Sequence, residues 1–339
     1  MSTNFPRVYL PMLVRGEDLS REQATNALLE IFEGGVDGPL IASFLTALTA
    51  KGESIDEMTG FVDAMMHEVA TAPVSERCVD IVGTGGDQLH SVNISTMASL
   101  AVAGVGVPVA KHGNRSATSS VGSADVLEAL GLTLSVDGDT VRRSIEEANF
   151  GFYFAPVFHP ALVALAPIRR ALGFRTVFNV LGPLANPAKV RRTLIGVAQA
   201  PIMTSRASVL QARGIDRALL VRGDDGLDEL SLGTTTTVIT VDGDRVSDEV
   251  LDAGSRLGLC HDVAALVGGD VAANAALVRR FLDGEQGAVF DVVCANAGLA
   301  LVAARHSETL EEGFAHAREA VLSGRARSAL ERAVAITSA

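Results

Sequence analysis

Three short segments of the sequence combine glycine with hydroxyl or charged residues at spacings that suit phosphate and metal chemistry. In the first, the apolar run at 79–82 leads into GTGGD at 83–87, and NIST at 93–96 then opens an alanine-rich helical stretch. Glycine lets main-chain N–H groups approach a phosphate, and a helix N-terminus adds its dipole and hydroxyl side chains. The segment predicts a phosphate cradle ahead of a capped helix N-terminus, although a tight strand-to-helix turn would have a similar sequence.

The second segment is KHGNR at 111–115, which follows the apolar run at 107–110 and precedes a hydroxyl-rich stretch at 116–120. It places two cations, Lys111 and Arg115, at the carboxyl end of a predicted strand. Open α/β sheets bind ligands at that edge, and lysine and arginine suit a multiply charged phosphate. A solvated charged loop is the alternative.

The third segment, DDGLDE at 224–229, follows a predicted strand that ends at Val221 and gathers four carboxylates at the same edge. Mg2+ prefers oxygen ligands and is commonly shared between carboxylates and substrate phosphates. In isolation a solvated acidic turn would be the better interpretation. Opposite a phosphate cradle, the metal site is favoured.

Two arginines, Arg169 and Arg170, lie in a helical stretch that follows Phe158-His159-Pro160. Arg169 could hold a substrate carboxylate through a bidentate pair, and the sequence alone does not rank it above its neighbour. His159 and His112 are as consistent with packed or capping histidines as with ligand contacts.

Hydrophobic periodicity predicts how the chain positions these residues. The region from Asp18 to about Val69 has helical spacing, and no strand is expected before residue 78. Beyond it, short apolar runs alternate with helical stretches, which is typical of a wound α/β sheet with mainly parallel strands. The predicted strands are at 79–82, 107–110, 152–155, 193–198 and 218–221, the predicted helices at 122–130, 139–148 and 204–212, a hairpin or antiparallel edge strand at 235–244, and helix from Asp270 onward.

Composition narrows the class of protein. The 339 residues include 28 Lys plus Arg and 40 Asp plus Glu, a net charge of −12, which disfavours a nucleic-acid partner. Cys78, Cys260 and Cys294 stand singly in apolar contexts, so we expect buried free thiols and neither a disulfide framework nor a zinc site. The N-terminal apolar stretch is too short for a signal peptide and no run could span a bilayer, so a cytoplasmic location without a membrane partner is expected.

The sequence resembles the anthranilate phosphoribosyltransferase family in a series of motifs that occur in the family's order. The motifs are GTGGD at 83–87, NIST at 93–96, KHGNR at 111–115, GSADVLEALG at 122–131, NVLGPLANP at 179–187 and GLDEL at 226–230, together with a similar late segment at 268–296. Four places depart from the family's usual pattern, which affects loop and dimer contacts and not the expected reaction: Thr118-Ser119, Ser120-Val121, Arg222 and Leu40.

The resemblance implies a homodimer with a nucleoside phosphorylase-like fold. It implies a small all-helical N-terminal domain at 1–72 that forms the dimer contact with a contribution from about 160–190, and an α/β catalytic domain at 73–339. The implied reaction joins anthranilate to 5-phosphoribosyl 1-pyrophosphate (PRPP) with Mg2+ and releases pyrophosphate, in tryptophan biosynthesis.

The resemblance also implies roles for individual residues. Around PRPP it places Gly83, Gly86, Asp87, Ser91, Asn93, Ile94, Ser95, Thr96, Lys111, His112, Gly113, Asn114, Arg115, Thr118, Ser119 and Ser123. Around anthranilate it places Gly83, His112, Asn114, Ala155, Pro156, His159, Arg169 and Gly182. Ser95, Asp228 and Glu229 would serve two Mg2+ ions, and Lys111, Asp228 and Glu229 are the candidate catalytic residues.

Two other functions stay open at this point. A pyrimidine-nucleoside phosphorylase would share the fold but would use phosphate to cleave a nucleoside, and its lysine-containing motifs differ from KHGNR. A catalytically silent relative that binds nucleic acid is disfavoured by the net charge and by the presence of Lys111, Asp228 and Glu229.

Overall fold

The computed structural model describes residues 4–67, 69, 74–85, 89–115 and 121–339. The chain begins with a helical unit and continues into an α/β unit built on one seven-stranded sheet. Within the described ranges, no helix is both long and apolar enough to cross a membrane.

The N-terminal unit is entirely helical, as the periodicity predicts, and it starts earlier than the predicted Asp18. It consists of a π-helical turn at Phe5–Tyr9, α1 at Leu10–Val14, α2 at Arg21–Phe32, α3 at Gly38–Lys51 and α4 at Ile55–His67. A capping box fixes the start of α2, because Ser20 Oγ accepts from the Gln23 N–H at 3.2 Å while Gln23 Oε1 accepts from the Ser20 N–H at 2.9 Å. Apolar side chains at helical spacing then point inward, among them Leu28, Phe44 and Phe61, each about 1% exposed.

The sheet has the strand order β3-β2-β1-β4-β5-β6-β7, with the first five strands parallel and β6 and β7 antiparallel. The strands are β1 at Val79–Gly83, β2 at Val109–Gly113, β3 at Phe150–Phe154, β4 at Arg192–Gly196, β5 at Arg217–Gly223, β6 at Thr236–Asp242 and β7 at Arg245–Leu251. All five predicted parallel strands and the predicted hairpin are confirmed. The carboxyl ends of β1, β2, β4 and β5 meet at one edge.

Helices connect and cover the strands. They are α5 at Ile94–Val105, α6 at Ser123–Ala129, α7 at Gly138–Ala148, α8 at Ala155–Phe158, α9 at Pro160–Ala164, α10 at Ala166–Leu172, α11 at Met203–Ala212, α12 at Ala253–Leu257, α13 at Val271–Leu282, α14 at Ala288–Ala303, α15 at Leu310–Leu322 and α16 at Arg325–Thr337. Short 3-10 turns lie at Val177–Asn179, Gly182–Leu184, Ala200–Ile202 and Val263–Leu266. The predicted helices at 122–130, 139–148 and 204–212 and the helical C-terminal region are confirmed.

The two larger hydrophobic cores lie on opposite faces of the sheet, because successive side chains of a strand point to opposite faces. On β4, Leu194 packs with α5, α14 and α15, whereas Ile195 packs with the N-terminal helices. The second core also contains Leu165 and Phe178 from the segment after β3. The N-terminal unit and one sheet face therefore share a continuous core.

Two local expectations were wrong. Asn93 precedes α5, but its side chain does not cap the helix. Its amide nitrogen donates to the Val121 carbonyl at 3.2 Å and its oxygen accepts from Asn274 at 3.2 Å, so it joins three separate segments instead. Cys260 is exposed, whereas Cys78 and Cys294 are buried as expected, because the loop after α12 leaves the core before residue 260.

Candidate active site

A cavity of about 540 Å³ opens where the carboxyl ends of β1 and β2 face the segment that follows β3. Its wall includes every predicted site residue that the structure describes: Gly83, Ser91, Asn93, Ile94, Ser95, Thr96, Lys111, His112, Gly113, Asn114, Arg115, Ser123, Ala155, Pro156, His159, Arg169, Gly182, Asp228 and Glu229. Gly86, Asp87, Thr118 and Ser119 lie outside the described residues. Parallel strand pairing brings the three separate motifs to one place.

Lys111 extends from β2 and is only 1% exposed. Its ammonium group donates to the Ile81 carbonyl and to Ser95 Oγ at 3.3 Å. Burial lowers the pKa of Lys111 to about 8, against the opposing effect of the Asp80 and Glu229 carboxylates. The lysine therefore keeps its charge near neutral pH, beside the hydroxyl at the start of α5.

Asp80 holds this part of the wall from behind, and sequence reasoning missed it. Its oxygens accept from the His112 main-chain N–H at 3.2 Å and from Asn186 Nδ2 at 2.7 Å. Asn186 Nδ2 also donates to the Ala110 carbonyl at 2.8 Å. Burial raises the pKa of Asp80 to about 6, and the charge of Lys111 limits the rise. The available signal was a lone carboxylate inside an apolar strand, which needs a buried partner.

The four carboxylates of the acidic loop separate into two pairs. Asp224 accepts from Thr235 Oγ1 and Asp225 accepts from Ser231 Oγ at 2.6 Å, so these two stabilise the loop itself. Asp228 and Glu229 are each 6% exposed and line the cavity. Asp228 Oδ2 accepts from the Gly85 N–H at 2.8 Å, which joins the acidic loop to the glycine-rich segment.

Two paired glycines set the position of Asp228. Gly83 and Gly196 are opposite each other on β1 and β4. A Cβ on Gly196 would lie 1.6 Å from the Asp228 carbonyl oxygen, and one on Gly83 would lie 2.9 Å from Asp228 Oδ2. Only glycine allows the acidic loop to rest directly on the sheet backbone at these positions.

The acidic pair fits a divalent cation that is shared with a substrate. In the part of the chain that the structure describes, no group of three or more His, Cys, Asp or Glu side chains could hold a metal by itself. Mg2+ is usually bound by one or two carboxylates while substrate phosphates supply further oxygens. Two nearly buried carboxylates beside a hydroxyl and a lysine match that pattern.

His112 and His159 form the middle of the wall, with ring centroids 5.3 Å apart. His112 Nδ1 lies 3.1 Å from the Gly182 carbonyl and His159 Nε2 lies 2.9 Å from the Ala185 carbonyl, so each of these nitrogens donates. Burial lowers the pKa of His112 to about 3 and lowers that of His159 as well. His112 is therefore neutral, and its buried Nε2 has no hydrogen-bond partner among the described residues.

The far end of the cavity is mostly apolar and contains two arginines, Arg169 and Arg175. Arg169 lines the cavity with its guanidinium 5.6 Å from the centroid of the Phe178 ring, whereas Arg170 is exposed on the other side of α10. Burial lowers the pKa of Arg169, which leaves it charged. The orientation of α10 therefore places Arg169, and not Arg170, at the cavity wall. The other apolar wall residues here, Met65, Leu162, Val163 and Ala166, were not predicted.

Two further arginines, Arg115 and Arg206, do not present a free guanidinium group to the cavity. Arg115 lies at the cavity wall, but its guanidinium pairs with Asp125 at 2.7 Å and with Glu128 at 2.9 Å. Arg206 on α11 is 1% exposed, and its three guanidinium nitrogens have no hydrogen-bond partner in the described part of the chain. Burial lowers the pKa of Arg206 to about 10, and its remaining charge acts on Asp228. No sequence pattern marked Arg206, because α11 is not distinctly amphipathic.

Comparisons with known proteins agree with this geometry. Residues 75–327 match the model of the glycosyl transferase family α/β domain, and residues 7–69 match that of its helical bundle domain. An anthranilate phosphoribosyltransferase of Methanopyrus kandleri is 45% identical over 97% of this chain and 99% of its own length.

Two solved structures have the same fold over nearly the whole chain. The anthranilate phosphoribosyltransferase of Thermus thermophilus is 42% identical and has a TM-score of 0.92, with 98% of this chain and 99% of that chain covered. The Saccharomyces cerevisiae enzyme, solved in complex with PRPP and Mg, is 28% identical and has a TM-score of 0.88, with 97% of each chain covered. The chain therefore belongs to the two-domain glycosyl transferase family and, within it, to the anthranilate phosphoribosyltransferases.

Proposed function

We propose that the protein transfers the phosphoribosyl group of PRPP to the amine of anthranilate, giving N-(5-phosphoribosyl)anthranilate and pyrophosphate in tryptophan biosynthesis. One observation carries the proposal. A single cavity joins a charged end, with Lys111, Asp228 and Glu229, to an apolar end that contains Arg169. A phosphorylated sugar and an aromatic carboxylate need these two environments side by side.

The charged end would bind the pyrophosphate and the metal. Lys111 and the start of α5 would contact phosphate oxygens, with Ser95, Asp228 and Glu229 as the oxygen ligands of Mg2+. When bound, Mg2+ would neutralise charge that develops on the leaving pyrophosphate. Two ions are expected from the family resemblance, and the acidic pair with phosphate oxygens offers enough donors for both.

The apolar end would bind anthranilate. The Arg169 guanidinium would pair with the substrate carboxylate, while the ring packs against the apolar wall near Phe178. His112 Nε2, which is buried without a partner in the described residues, would accept a hydrogen bond from the substrate amine. These contacts would direct the amine toward the sugar.

In the reaction, the nitrogen lone pair forms a bond to the anomeric carbon as the carbon–oxygen bond to pyrophosphate breaks. The sugar passes through an oxocarbenium-like state, so the main tasks are positioning and stabilisation of the leaving group. The aryl amine is already unprotonated near neutral pH, and one of its N–H protons becomes strongly acidic only after the new bond forms. That proton can then pass to water or to the released pyrophosphate. A histidine whose pKa is about 3 can therefore orient the amine without having to act as a strong base.

The proposal is tested by the loss of anthranilate fluorescence when the purified protein is mixed with PRPP and Mg2+. We expect the fluorescence to fall, the fall to stop with EDTA, and excess Mg2+ to restore it. Thymidine with inorganic phosphate serves as the control substrate pair. No fall in fluorescence with folded protein, or phosphorolysis of thymidine, would overturn the proposal.

We also infer a homodimer and a cytoplasmic location, both of which rest on the family resemblance. Exposed apolar side chains on the N-terminal helices support a partner surface there, since Val14 is 72% exposed and Ile55 is 42% exposed. Sedimentation equilibrium of the full chain is expected to give twice the monomer mass of 35.2 kDa.

A further inference from the structure

A second cavity of about 410 Å³ lies beside the loop that contributes Pro183 to the wall of the first cavity. It is bounded by the loop and strand residues at 183–193, by Met66 at the end of α4, and by the residues that end α11 and follow it at 210–215. Pro183 lines both cavities, so one loop forms the wall between them. None of the function proposed above uses this second cavity.

The second cavity is positively charged in a protein of net charge −12. Lys189, Arg191 and Arg213 line it, and no carboxylate from the described residues does. Arg213 pairs with Asp63 on α4. Lys189 and Arg191 are exposed and have no carboxylate partner in the part of the chain that the structure describes, and Arg191 donates only to the Gly214 carbonyl at 3.4 Å. Two cations are therefore available to a ligand.

A buried hydroxyl faces the same cavity. Thr193 is 3% exposed, and its Oγ1 has no hydrogen-bond partner among the described residues. On β4 it points to the same side as Ile195, toward the N-terminal helices. A buried polar group without a partner is unusual in folded proteins, and a ligand oxygen in the cavity would supply the missing partner.

The backbone beside the cavity is also unusual. Lys189 has a φ of +53°, a left-handed conformation that residues with a side chain seldom adopt. Such strain is often found where the chain holds a side chain for binding.

The chemistry of the wall indicates the kind of ligand. Part of the wall is apolar, with Leu184, Leu210 and Ile215. A carboxylate pairs with a guanidinium and an ammonium group, and an attached ring would pack against these apolar side chains, so a small aromatic carboxylate suits the wall.

We propose that this second cavity binds a small aromatic carboxylate, with its head between Lys189, Arg191 and Thr193 and its ring against the apolar wall. The cavity volume is within the range of small-molecule sites. The site is distinct from the anthranilate end of the first cavity, because Arg169 does not line it.

Isothermal titration of the full chain with 2-naphthoate tests the proposal, with 2-naphthamide as the neutral analogue and 2-naphthyl phosphate as the alternative head group. The cavity variant is Lys189→Asn with Arg191→Gln, since asparagine tolerates a positive φ. The charge-matched control is Arg7→Gln with Arg332→Gln, at exposed positions outside both cavities. Arg169→Ala separates binding in the first cavity, and thermal melting checks that each variant is folded.

We expect the cavity variant to bind 2-naphthoate at least about tenfold more weakly than wild type, and Thr193→Val about threefold to tenfold more weakly. The control variant and Arg169→Ala should keep the wild-type affinity of this site. Four results would each overturn the proposal: no binding to wild type at millimolar concentration, equal affinity in the cavity variant, equal affinity for the amide, or tighter binding of the phosphate.

Discussion

The two ends of the active-site cavity are built differently. The charged end consists of nearly buried side chains at or just after strand ends, where Lys111 is 1% exposed and Asp228 and Glu229 are each 6% exposed. The apolar end comes from short helices and turns between Ala155 and Leu184, and Arg169 there is only partly buried. Under the proposed function, the sheet would hold the groups that act on the leaving group, while less regular structure would hold the acceptor. We therefore expect changes at the two ends to differ in kind as well as in size.

The largest effect is expected for Asp228→Asn combined with Glu229→Gln. These changes keep the volume of both side chains but remove the charge that would hold Mg2+, so kcat/KM should fall at least about 10³-fold. The Mg2+ concentration for half-maximal activity, measured by anthranilate fluorescence, should rise as well. Asp224→Asn is the matched control, because Asp224 pairs with Thr235 and does not line the cavity. Wild-type Mg2+ dependence in the double variant would remove these residues from the metal site.

A smaller effect, about 10²-fold in kcat/KM for PRPP, is expected for Lys111→Met, which removes one cationic donor. The pH profile is more diagnostic. In the proposed function, the charged form of Lys111 would bind phosphate. Because burial lowers the pKa of Lys111 to about 8, kcat/KM for PRPP should fall as the pH rises above 8.

Lys111→Arg keeps its charge at all accessible pH values, so this alkaline loss should disappear even if the activity is lower. Lys189→Arg is the control outside the active-site cavity, and its kcat/KM for PRPP should still fall above pH 8. If kcat/KM of Lys111→Arg also falls above pH 8, the titrating group is not Lys111.

At the other end, Arg169→Ala should raise the KM for anthranilate about 10–100-fold, the usual loss for a charged hydrogen-bonded pair. The KM for PRPP should change much less, because Arg169 lies away from the charged end. Initial rates with each substrate varied in turn measure both constants. Arg170→Ala, at the exposed neighbour, is the control and should resemble wild type. Equal effects on both substrates would move Arg169 out of the anthranilate site.

The smallest effect is expected for Phe178→Leu. It removes the ring that lies 5.6 Å from the Arg169 guanidinium, an interaction of about 0.5–1 kcal/mol, so the KM for anthranilate should rise about twofold to fivefold. In an Arg169→Ala background the same change should have almost no effect if the ring acts through the arginine. A full additional rise in the double variant would instead indicate direct contact between the ring and the substrate.

The same contrast explains what the sequence could predict. Lys111, Asp228 and Glu229 were identifiable because each stands in a short motif after a predicted strand, and parallel pairing brings strand ends together. The apolar end could be assigned only in part. Arg169 could not be ranked above Arg170 until the helix placed one of them at the cavity and the other in solvent.

Contacts between distant parts of the chain were not predictable. Asp80 and Asn186 meet across 106 residues, and nothing in either segment specifies the other as its partner. The side chain of Asn93 has a standard helix-capping chemistry, but contacts with Val121 and Asn274 compete with the cap and prevail. Arg206 was unpredictable for a similar reason, because its burial results only from contacts of the tertiary fold.

The glycine pair beneath Asp228, Gly83 and Gly196, determines how precisely the acidic loop is positioned. Side chains held by single hydrogen bonds can drift by tenths of an ångström, whereas neighbouring strands keep a nearly constant separation of about 4.8 Å. Because Gly83 and Gly196 leave the strand backbone bare, the acidic loop rests on the sheet itself and is located by hard atomic contact. Asp228 is thereby positioned by the sheet backbone, and a single methyl group added at either glycine would shift it.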